Sequence, residues 1–597
     1  MSNEFHIPKF LVSLDLKSGL KQKPDRLPFV FIAFMSLHFS YLCRAIPTRS
    51  RALRHRWKGA FATQRFKSAA TFDRMDAPIE NHHHMEPKLP DFSDAQAAYS
   101  SKTTMQLLRA ALVYNLCNIT PLVQNAEVLL RTSRSLFGDY FVDSLLKATL
   151  FGHFCAGEDE DRIKPVLEDL KSHGIGGILD YAAESDTVPQ TASQSNMYKL
   201  PNTKEYDYES EAACDEHVEV FRSCIRSVHK VAPDGFAAVK VTALGNPKLL
   251  ERMSTAIVEA GRLFTRFDSN GDGAVTTEEF QQGYAQFFNY NDQDLEQLVK
   301  YLDYDNSGHV DYITWSKLLR PSDLPKITAN CRAVGPLARA TPTDEELELI
   351  DAMFQRAHTI AEEAAQCGTR VLIDAEQARF QPAIDNLVLE LQQKYNAVEA
   401  TDVPIIFNTY QCYRKGELDE IKTDVERSER YNYHFGAKLV RGAYMESERA
   451  LAERLQYPSP INDTIEETHR CYNDSVDFLL RHSIKTDKKL EIMCATHNQE
   501  SIEKALQTMD ELGIMKQDGT VRFGQLFGMS DNLTFNLGGA GYKAYKYVPY
   551  GQVKQVMPYL MRRAQENSAL MGNANRELKL LKEELLRRFN PASAVVA

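Results

Sequence analysis

Tyr559, Arg562, Arg563 and Glu566 stand in the run Pro558-Tyr559-Leu560-Met561-Arg562-Arg563-Ala564-Gln565-Glu566-Asn567. On an α-helix they occupy positions i, i+3, i+4 and i+7, which puts all four on one face. Two adjacent arginines beside a glutamate can hold a small carboxylate through forked hydrogen bonds while part of their own charge stays paired. A charge run of this kind is more often a solvated helix face. Its company argues otherwise, because the strand-like segments before it each end in a polar or charged residue.

Those segments are Ile175–Asp180, Phe236–Ala243, Arg370–Asp374, Val403–Tyr410, Phe435–Val440, Leu490–Ala495, Val521–Leu526 and Tyr542–Val548. Most are short apolar runs suited to parallel strands buried on both faces, and helical patterns separate most of them. Eight β-then-α units predict an α/β protein built as a (β/α)8 TIM-like barrel, whose chemistry sits at the C-terminal ends of the strands. The residues at those ends are Asp180 and Glu184, Lys240, Asp374, Gln411, Lys438 and Arg441, His497, Gln525 and Tyr547. Taken singly, His497 would be a satisfied core histidine and Asp374 a strand-end cap. Together they form a ring of convergent polar groups. Upstream, apolar residues at helical spacing over 103–150, and a helix from Arg162 to Ser172 stopped by His173-Gly174, predict an N-terminal helical region. Gly538-Gly539-Ala540-Gly541 does not lead directly into a helix and reads as a turn rather than a phosphate loop.

One segment interrupts the alternation. Asp268-Ser269-Asn270-Gly271-Asp272-Gly273-Ala274-Val275-Thr276-Thr277-Glu278-Glu279 fits the twelve-residue EF-hand calcium loop. Asp268, Asn270 and Asp272 would supply oxygens, Gly273 the sharp turn, Ala274 its carbonyl, and Glu279 a bidentate carboxylate. A second loop follows with Asp303, Asp305, Ser307 and Gly308, but Thr314 stands at its twelfth position and cannot close the site. The expectation is an EF-hand pair over 255–320, inserted after the second strand, with Ca2+ in its first loop.

The formal charge of −11 conceals an asymmetry: residues 1–72 carry a net +10 and the remainder −21. An acidic body argues against nucleic acid as a partner. None of the ten cysteines stands at CxxC or similar spacing, so neither disulfides nor zinc are expected, and a reducing compartment fits. No Asp or Glu lies between Leu27 and Thr71, where arginines are scattered among Ser, Thr and Ala. That is the composition of a mitochondrial transit peptide. Translation from Met35 would give a shorter version of it. The run Phe29–Cys43 is too short and too polar for a spanning helix, and His82-His83-His84 reads as linker. The expected organisation is a targeting segment and disordered linker over 1–95, helices over 96–174, the first part of the barrel over 175–254, the EF-hand pair, and the rest of the barrel over 321–590.

The chain resembles the mitochondrial, monofunctional proline dehydrogenases. The resemblance rests on Val239-Lys240-Val241-Thr242-Ala243-Leu244, Leu372-Ile373-Asp374-Ala375-Glu376, Asn408-Thr409-Tyr410-Gln411, Lys438-Leu439-Val440-Arg441-Gly442-Ala443-Tyr444, Ala495-Thr496-His497-Asn498, Gln525-Leu526-Phe527-Gly528-Met529 and the helix Tyr559–Asn567. It implies FAD-dependent oxidation of L-proline to Δ1-pyrroline-5-carboxylate, electrons passing to ubiquinone, in the mitochondrial matrix with peripheral contact to the inner membrane. Carried over by motif, Arg562 and Arg563 would bind the substrate carboxylate with help from Lys240. Tyr444 and Tyr547 would wall the pocket, Asp374 would hold this set, and Glu184 would pair with the first arginine and gate the site. Gln411, Lys438, Val440, Arg441, Gly442 and Ala443 would line the isoalloxazine and ribityl chain. Thr496, His497, Asn498, Gln525 and Glu566 would contact ribityl, pyrophosphate or adenosine, and Arg563 would touch the cofactor as well. Lys438 departs from the bacterial members of the family, which typically carry arginine there. Two alternatives stay open: a 4-hydroxyproline dehydrogenase, against which the bulk of Tyr547 argues, and a calcium-binding barrel without enzyme activity, which would be expected to lack the arginine pair or the flavin residues.

Overall fold

The computed structural model describes residues 89–182, 210–569 and 571–589. The basic targeting segment, His82-His83-His84 and Glu184 lie outside the described residues. Two compact units emerge. One of them, described over residues 125–142, holds the helix Ala126–Phe137, with Glu127 in its first turn and Arg134 in its last, the arrangement that suits the helix dipole. The other contains the barrel.

Eight parallel strands close in chain order: β1 Ile175–Tyr181, β2 Phe236–Val239, β3 Arg370–Ile373, β4 Ile406–Gln411, β5 Phe435–Val440, β6 Leu490–Ala495, β7 Val521–Leu526 and β8 Ala544–Tyr550. Closure leaves no strand edge, and helices cover the outside, which is why nearly every strand residue is buried and most are apolar. Inside, Ile178, Phe236, Ala238, Leu372, Phe407, Met493 and Tyr545 fill the N-terminal half of the barrel. Phe236 meets Phe407 and Tyr545 edge-on, each at 5.4 Å. A Cβ on Gly176 would lie 2.2 Å from the Tyr545 ring, so glycine makes room for this plug. Below it, buried Arg522 and Arg370 share the Glu491 carboxylate at 2.7 and 2.8 Å. With one end sealed, the opposite, C-terminal end is left for polar groups.

Three strands differ from the sequence pattern. β2 stops at Val239, and Val241–Ala243 turn into a 3-10 helix because the Thr242 N–H donates to the Glu376 carboxylate at 3.0 Å instead of to a neighbouring strand. β4 begins at Ile406 rather than Val403, since Pro404 has no N–H and the N–H groups of Ile405 and Ile406 are both taken by Asn396 Oδ1 at 2.8 Å. β8 lies two residues further along than expected and runs on through Pro549, whose carbonyl accepts from Ala156 at 3.1 Å. Gly538 and Gly539 end the helix Asp531–Gly539, and Gly541 follows in a turn at φ +84°.

Between β2 and β3 the chain forms the helices Thr277–Phe287 and Asp292–Leu302 about the two acidic loops. The loops pair through a bridge between Thr276 and His309, and the Val310 N–H donates to Val275 O at 2.8 Å. Phe264, Phe267, Phe280 and fully buried Trp315 form their core. Arg430, from the barrel helix Glu417–Arg430, donates to Asp311 at 2.5 Å and to Thr314 at 3.4 Å. An internal guanidinium thus sits against the ninth and twelfth positions of the second loop. Nearby, Lys317 lies over the Tyr431 ring at 4.3 Å.

Asn396 is fully buried and joins the starts of β4 and β5, since its Nδ2 donates to Ile406 O at 2.8 Å and to His434 O at 3.1 Å. Asn396→Ala strands these backbone groups without partners, so unfolding in denaturant should show a loss of ~2–4 kcal/mol. A loss under ~0.5 kcal/mol, within the scatter of surface substitutions, would contradict this role.

Candidate active site

The C-terminal ends of β1, β2, β3, β5 and β8 bring five side chains into one cluster. Asp374, just past β3, accepts from Lys438 Nζ at 2.6 Å and from the Tyr547 hydroxyl at 2.9 Å. Lys240 lies 3.4 Å from the same carboxylate and donates to Asp180 at 3.1 Å. Lys438 also stands 5.3 Å from the centre of the Tyr547 ring. The two lysines and two aspartates are nearly all removed from solvent. A buried ammonium is tolerable only beside a carboxylate, and each lysine here has one. Burial and the nearby Asp180 and Asp374 charges hold the Tyr547 phenol well above its ordinary range, so it is a protonated donor.

Lys240, Asp374 and Tyr547 therefore meet as expected. Lys438, expected beside the cofactor, is tied into the same cluster, and Asp180 completes it. Tyr444 is buried in the loop after β5, its phenol pushed up by burial and then by Glu376, with Arg562 and Lys240 acting in the opposite sense. Arg562 and Arg563 lie on the helix Met557–Ala569. Arg563 is buried, pairs with Glu566 and sits 5.0 Å from the Tyr559 ring centre. Three residues of the face read from the sequence, Tyr559, Arg563 and Glu566, thus contact one another.

A second constellation spans β5, β6 and β7. Arg441 donates to His469 Nδ1 at 2.9 Å, Thr496 Oγ1 at 2.7 Å and Ser501 Oγ at 2.8 Å, and lies over the Tyr472 ring at 4.4 Å. Asn498 caps the helix Gln499–Glu511, accepting from the Ser501 N–H. Gln525 is buried, donating to Thr496 O at 3.1 Å and accepting from Thr534 at 2.8 Å. Gln411, at the end of β4, donates to Glu376 O at 2.9 Å. Burial brings the His497 imidazole down to about 3, so it is neutral at pH 7, and Ser530 meets its Nδ1 at 2.9 Å. The Lys546, Arg563 and Arg441 charges contribute to that shift, which puts Arg563 within electrostatic reach of this group. Val440 ends β5, and Gly442 and Ala443 follow it as exposed backbone. Gly442 adopts φ +131°, a conformation suited to glycine, with a would-be Cβ 2.5 Å from the Tyr413 ring.

A guanidinium held by three fixed acceptors, the N-terminus of the helix Gln499–Glu511, and bare backbone beside β5 suit a phosphate-bearing, planar cofactor. The residues present fit FAD in kind. Asp180 was read from the sequence as a strand-end polar residue but given no role, and His469, Ser501, Tyr472 and Glu376 were not among the site residues. Glu376 was within reach, as it stands inside a strand-end motif. The contact between Arg441 and His469 joins two elements and leaves no local trace.

The first acidic loop is built around hydrogen bonds of its own. Asp268 accepts from the Gly271, Asp272 and Gly273 N–H groups at 2.8–3.2 Å, and Glu279 accepts from Ser269 and Thr276, capping its own helix. Among the described residues no three His, Cys, Asp or Glu side chains gather as a metal cluster. This departs from the expectation that Asp268, Asn270, Asp272, Ala274 and Glu279 converge as ligands. The nine described cysteines are free thiols.

A closed parallel barrel with buried charge at its C-terminal rim and an arginine-bearing helix is the architecture of a (β/α)8 enzyme. The family model for proline dehydrogenase matches residues 166–576, and the chain belongs to that family. It is 38% identical over 555 residues to the Homo sapiens protein named proline dehydrogenase 1, mitochondrial, covering 85% of this chain and 91% of that one. The Drosophila melanogaster protein of the same name is 36% identical over 565 residues, covering 84% and 81%. The Homo sapiens hydroxyproline dehydrogenase is 30% identical over 495 residues, covering 83% and 93%. A crystal structure of proline utilization A from Bdellovibrio bacteriovorus aligns with TM-score 0.48 and 16% identity over 79% of this chain, which spans 38% of that longer protein.

Proposed function

We propose that this protein oxidises L-proline to Δ1-pyrroline-5-carboxylate in the catabolism of proline, with FAD as its cofactor and electrons passed to ubiquinone. The observation that carries this reading is the buried cluster of Asp180, Lys240, Asp374, Lys438 and Tyr547 at the mouth of a proline dehydrogenase-family barrel. Its two lysines and two aspartates balance one another, so it makes no demand on the charge of Arg562 and Arg563. That pair is assigned to the substrate carboxylate, because an anion in a desolvated pocket needs paired cations for both charge and orientation.

In the reaction, one hydride leaves the ring carbon beside nitrogen, and one proton leaves the nitrogen as the C=N bond forms. FAD, when bound, supplies the hydride acceptor. Lys240 and Asp374 fix the polar side of the pocket, and the rings of Tyr547 and Tyr444 wall it against the pyrrolidine. Tyr547, tied to Asp374, leaves little space for a ring hydroxyl, which favours proline over 4-hydroxyproline. Glu184 is assigned to pair with Arg562 and gate the pocket. Gln411, Lys438, Val440, Arg441, Gly442 and Ala443 are assigned to the flavin ring and ribityl chain. Thr496, His497, Asn498, Gln525, Arg563 and Glu566 are assigned to the ribityl, pyrophosphate and adenosine parts.

The names of the mitochondrial relatives and the basic, acid-free stretch between Leu27 and Thr71 support a mitochondrial location, in the matrix. Contact with the inner membrane would be peripheral; among the described residues no helix is long and apolar enough to cross a membrane. Residues 255–320 are read as an EF-hand pair inserted between the two parts of the barrel, and the first loop as a site for one Ca2+. What supports that site is its residue pattern and the pairing of the two loops. Glu279 would have to leave its helix cap to bind.

Arg562→Met and Arg563→Met should each lower kcat/KM for L-proline by ~30- to 1000-fold, the equivalent of ~2–4 kcal/mol for a lost charge-assisted contact. Unchanged steady-state kinetics in both variants would remove this helix from the substrate site. For the loop, titration calorimetry should count about one calcium per chain, abolished by Glu279→Gln. Two equivalent sites, or none, would refute it.

A further inference from the structure

Glu376 stands two residues beyond Asp374 and is 1% exposed. Its carboxylate accepts from the Thr242 N–H at 3.0 Å and from the Thr242 hydroxyl at 2.6 Å. Its backbone N–H donates to Gln381 Oε1 at 2.8 Å, and its carbonyl accepts from Gln411 Nε2 at 2.9 Å. One residue thereby joins the end of β2, where Lys240 sits, the end of β3, where Asp374 sits, and the end of β4. It is also what diverts the chain after Lys240 out of the strand and into the 3-10 turn. Lys240 is also held by its bond to Asp180 at 3.1 Å and by the Asp374 N–H donating to Val239 O at 2.9 Å, and the turn adds a restraint on the chain that leaves Lys240.

We propose that Glu376 is a positioning residue for proline oxidation, tying the ends of β2, β3 and β4 into one corner that fixes Lys240 against Asp374. This rests on the assignment of the Lys240–Asp374 cluster to the substrate site. The groups that face Glu376 are Lys240 and Thr242 from the end of β2, Asp374 on its own segment, Gln381, Gln411 and Tyr444. Burial pushes its carboxyl up to about 7, while the Thr242 hydrogen bonds and Lys240 pull the other way and Asp374 adds to the rise. A folded value above the ordinary carboxylate range means that folding favours the protonated form below neutrality, and that negative charge appears at this corner as pH rises through about 7. The corner then holds Thr242 by charge-assisted bonds and gives Lys240 a further anionic neighbour.

The test uses the full-length, FAD-loaded protein and two variants. Glu376→Gln can still accept from the Thr242 N–H and donate to its hydroxyl but carries no charge, so KM for L-proline should stay within ~3-fold while kcat sits at the wild type's acid-side level. The inflection near pH 7 in kcat/KM, with activity falling on the acid side in the wild type, should be absent from this variant. Glu376→Leu breaks both bonds and should lose ~100-fold in kcat/KM while the flavin absorbance per chain is unchanged. Wild-type kinetics in Glu376→Leu, or an inflection that survives in Glu376→Gln, would overturn the proposal. A wild-type protein that binds flavin but does not turn over L-proline would overturn the assignment of the site itself, which separates the two failures.

Discussion

Everything at the mouth of this barrel depends on one carboxylate. Asp374 takes hydrogen bonds from Lys438 and Tyr547 and stands against Lys240, so four strand ends that are remote in sequence share a single acceptor. Buried ammonium groups carry a desolvation cost of several kcal/mol each unless paired. The pairing of Lys240 and Lys438 with Asp180 and Asp374 meets that requirement and leaves a rigid, charge-balanced floor. In the proposed function, a zwitterionic substrate is oriented by the arginine helix and the cluster together, rather than by loose side chains in water.

The rest of the fold can be understood as support for that cluster. The aromatic plug of Phe236, Phe407 and Tyr545 and the Arg522–Glu491 pair close the opposite end, so polar groups have one exit. Asn396 sets where β4 starts, and with it the position of Gln411 at its end. The paired acidic loops are mounted on the helix Glu417–Arg430, which joins β4 to β5 and so connects the strands that carry Gln411 and Lys438. Arg430 supplies the second loop with a covalently attached cation, in keeping with the lack of a carboxylate at Thr314.

Much of this was legible in the sequence because buried parallel strands write a simple signal. β5, β6 and β7 fall where the apolar runs put them. β2 and β4 do not, and in both cases a side chain intervenes: Glu376 captures Thr242, and Asn396 captures Ile405 and Ile406. The apolar pattern continues through these residues, so hydropathy alone cannot see the break. The same limit applies to the site. Lys240, Asp374, Lys438 and Tyr547 could be picked out as strand ends, yet the partner each would choose was hidden, the bond from Lys438 to Asp374 among them. Glu376 and His469 act through contacts 134 and 28 residues away along the chain, which only folding reveals. The acidic loop over 268–279 carries the reverse lesson: its sequence matches a calcium-loop pattern, but its carboxylates are occupied with backbone N–H groups and a helix cap.

The central claim is that this barrel couples a carboxylate-binding, charge-balanced pocket to a flavin. The absorption spectrum of the purified full-length protein, recorded without oxygen before and after L-proline, tests it most directly. The account predicts a bound oxidised flavin whose visible absorbance is bleached by L-proline. A protein that neither carries nor takes up flavin, or a flavin spectrum that L-proline leaves unchanged, would contradict it.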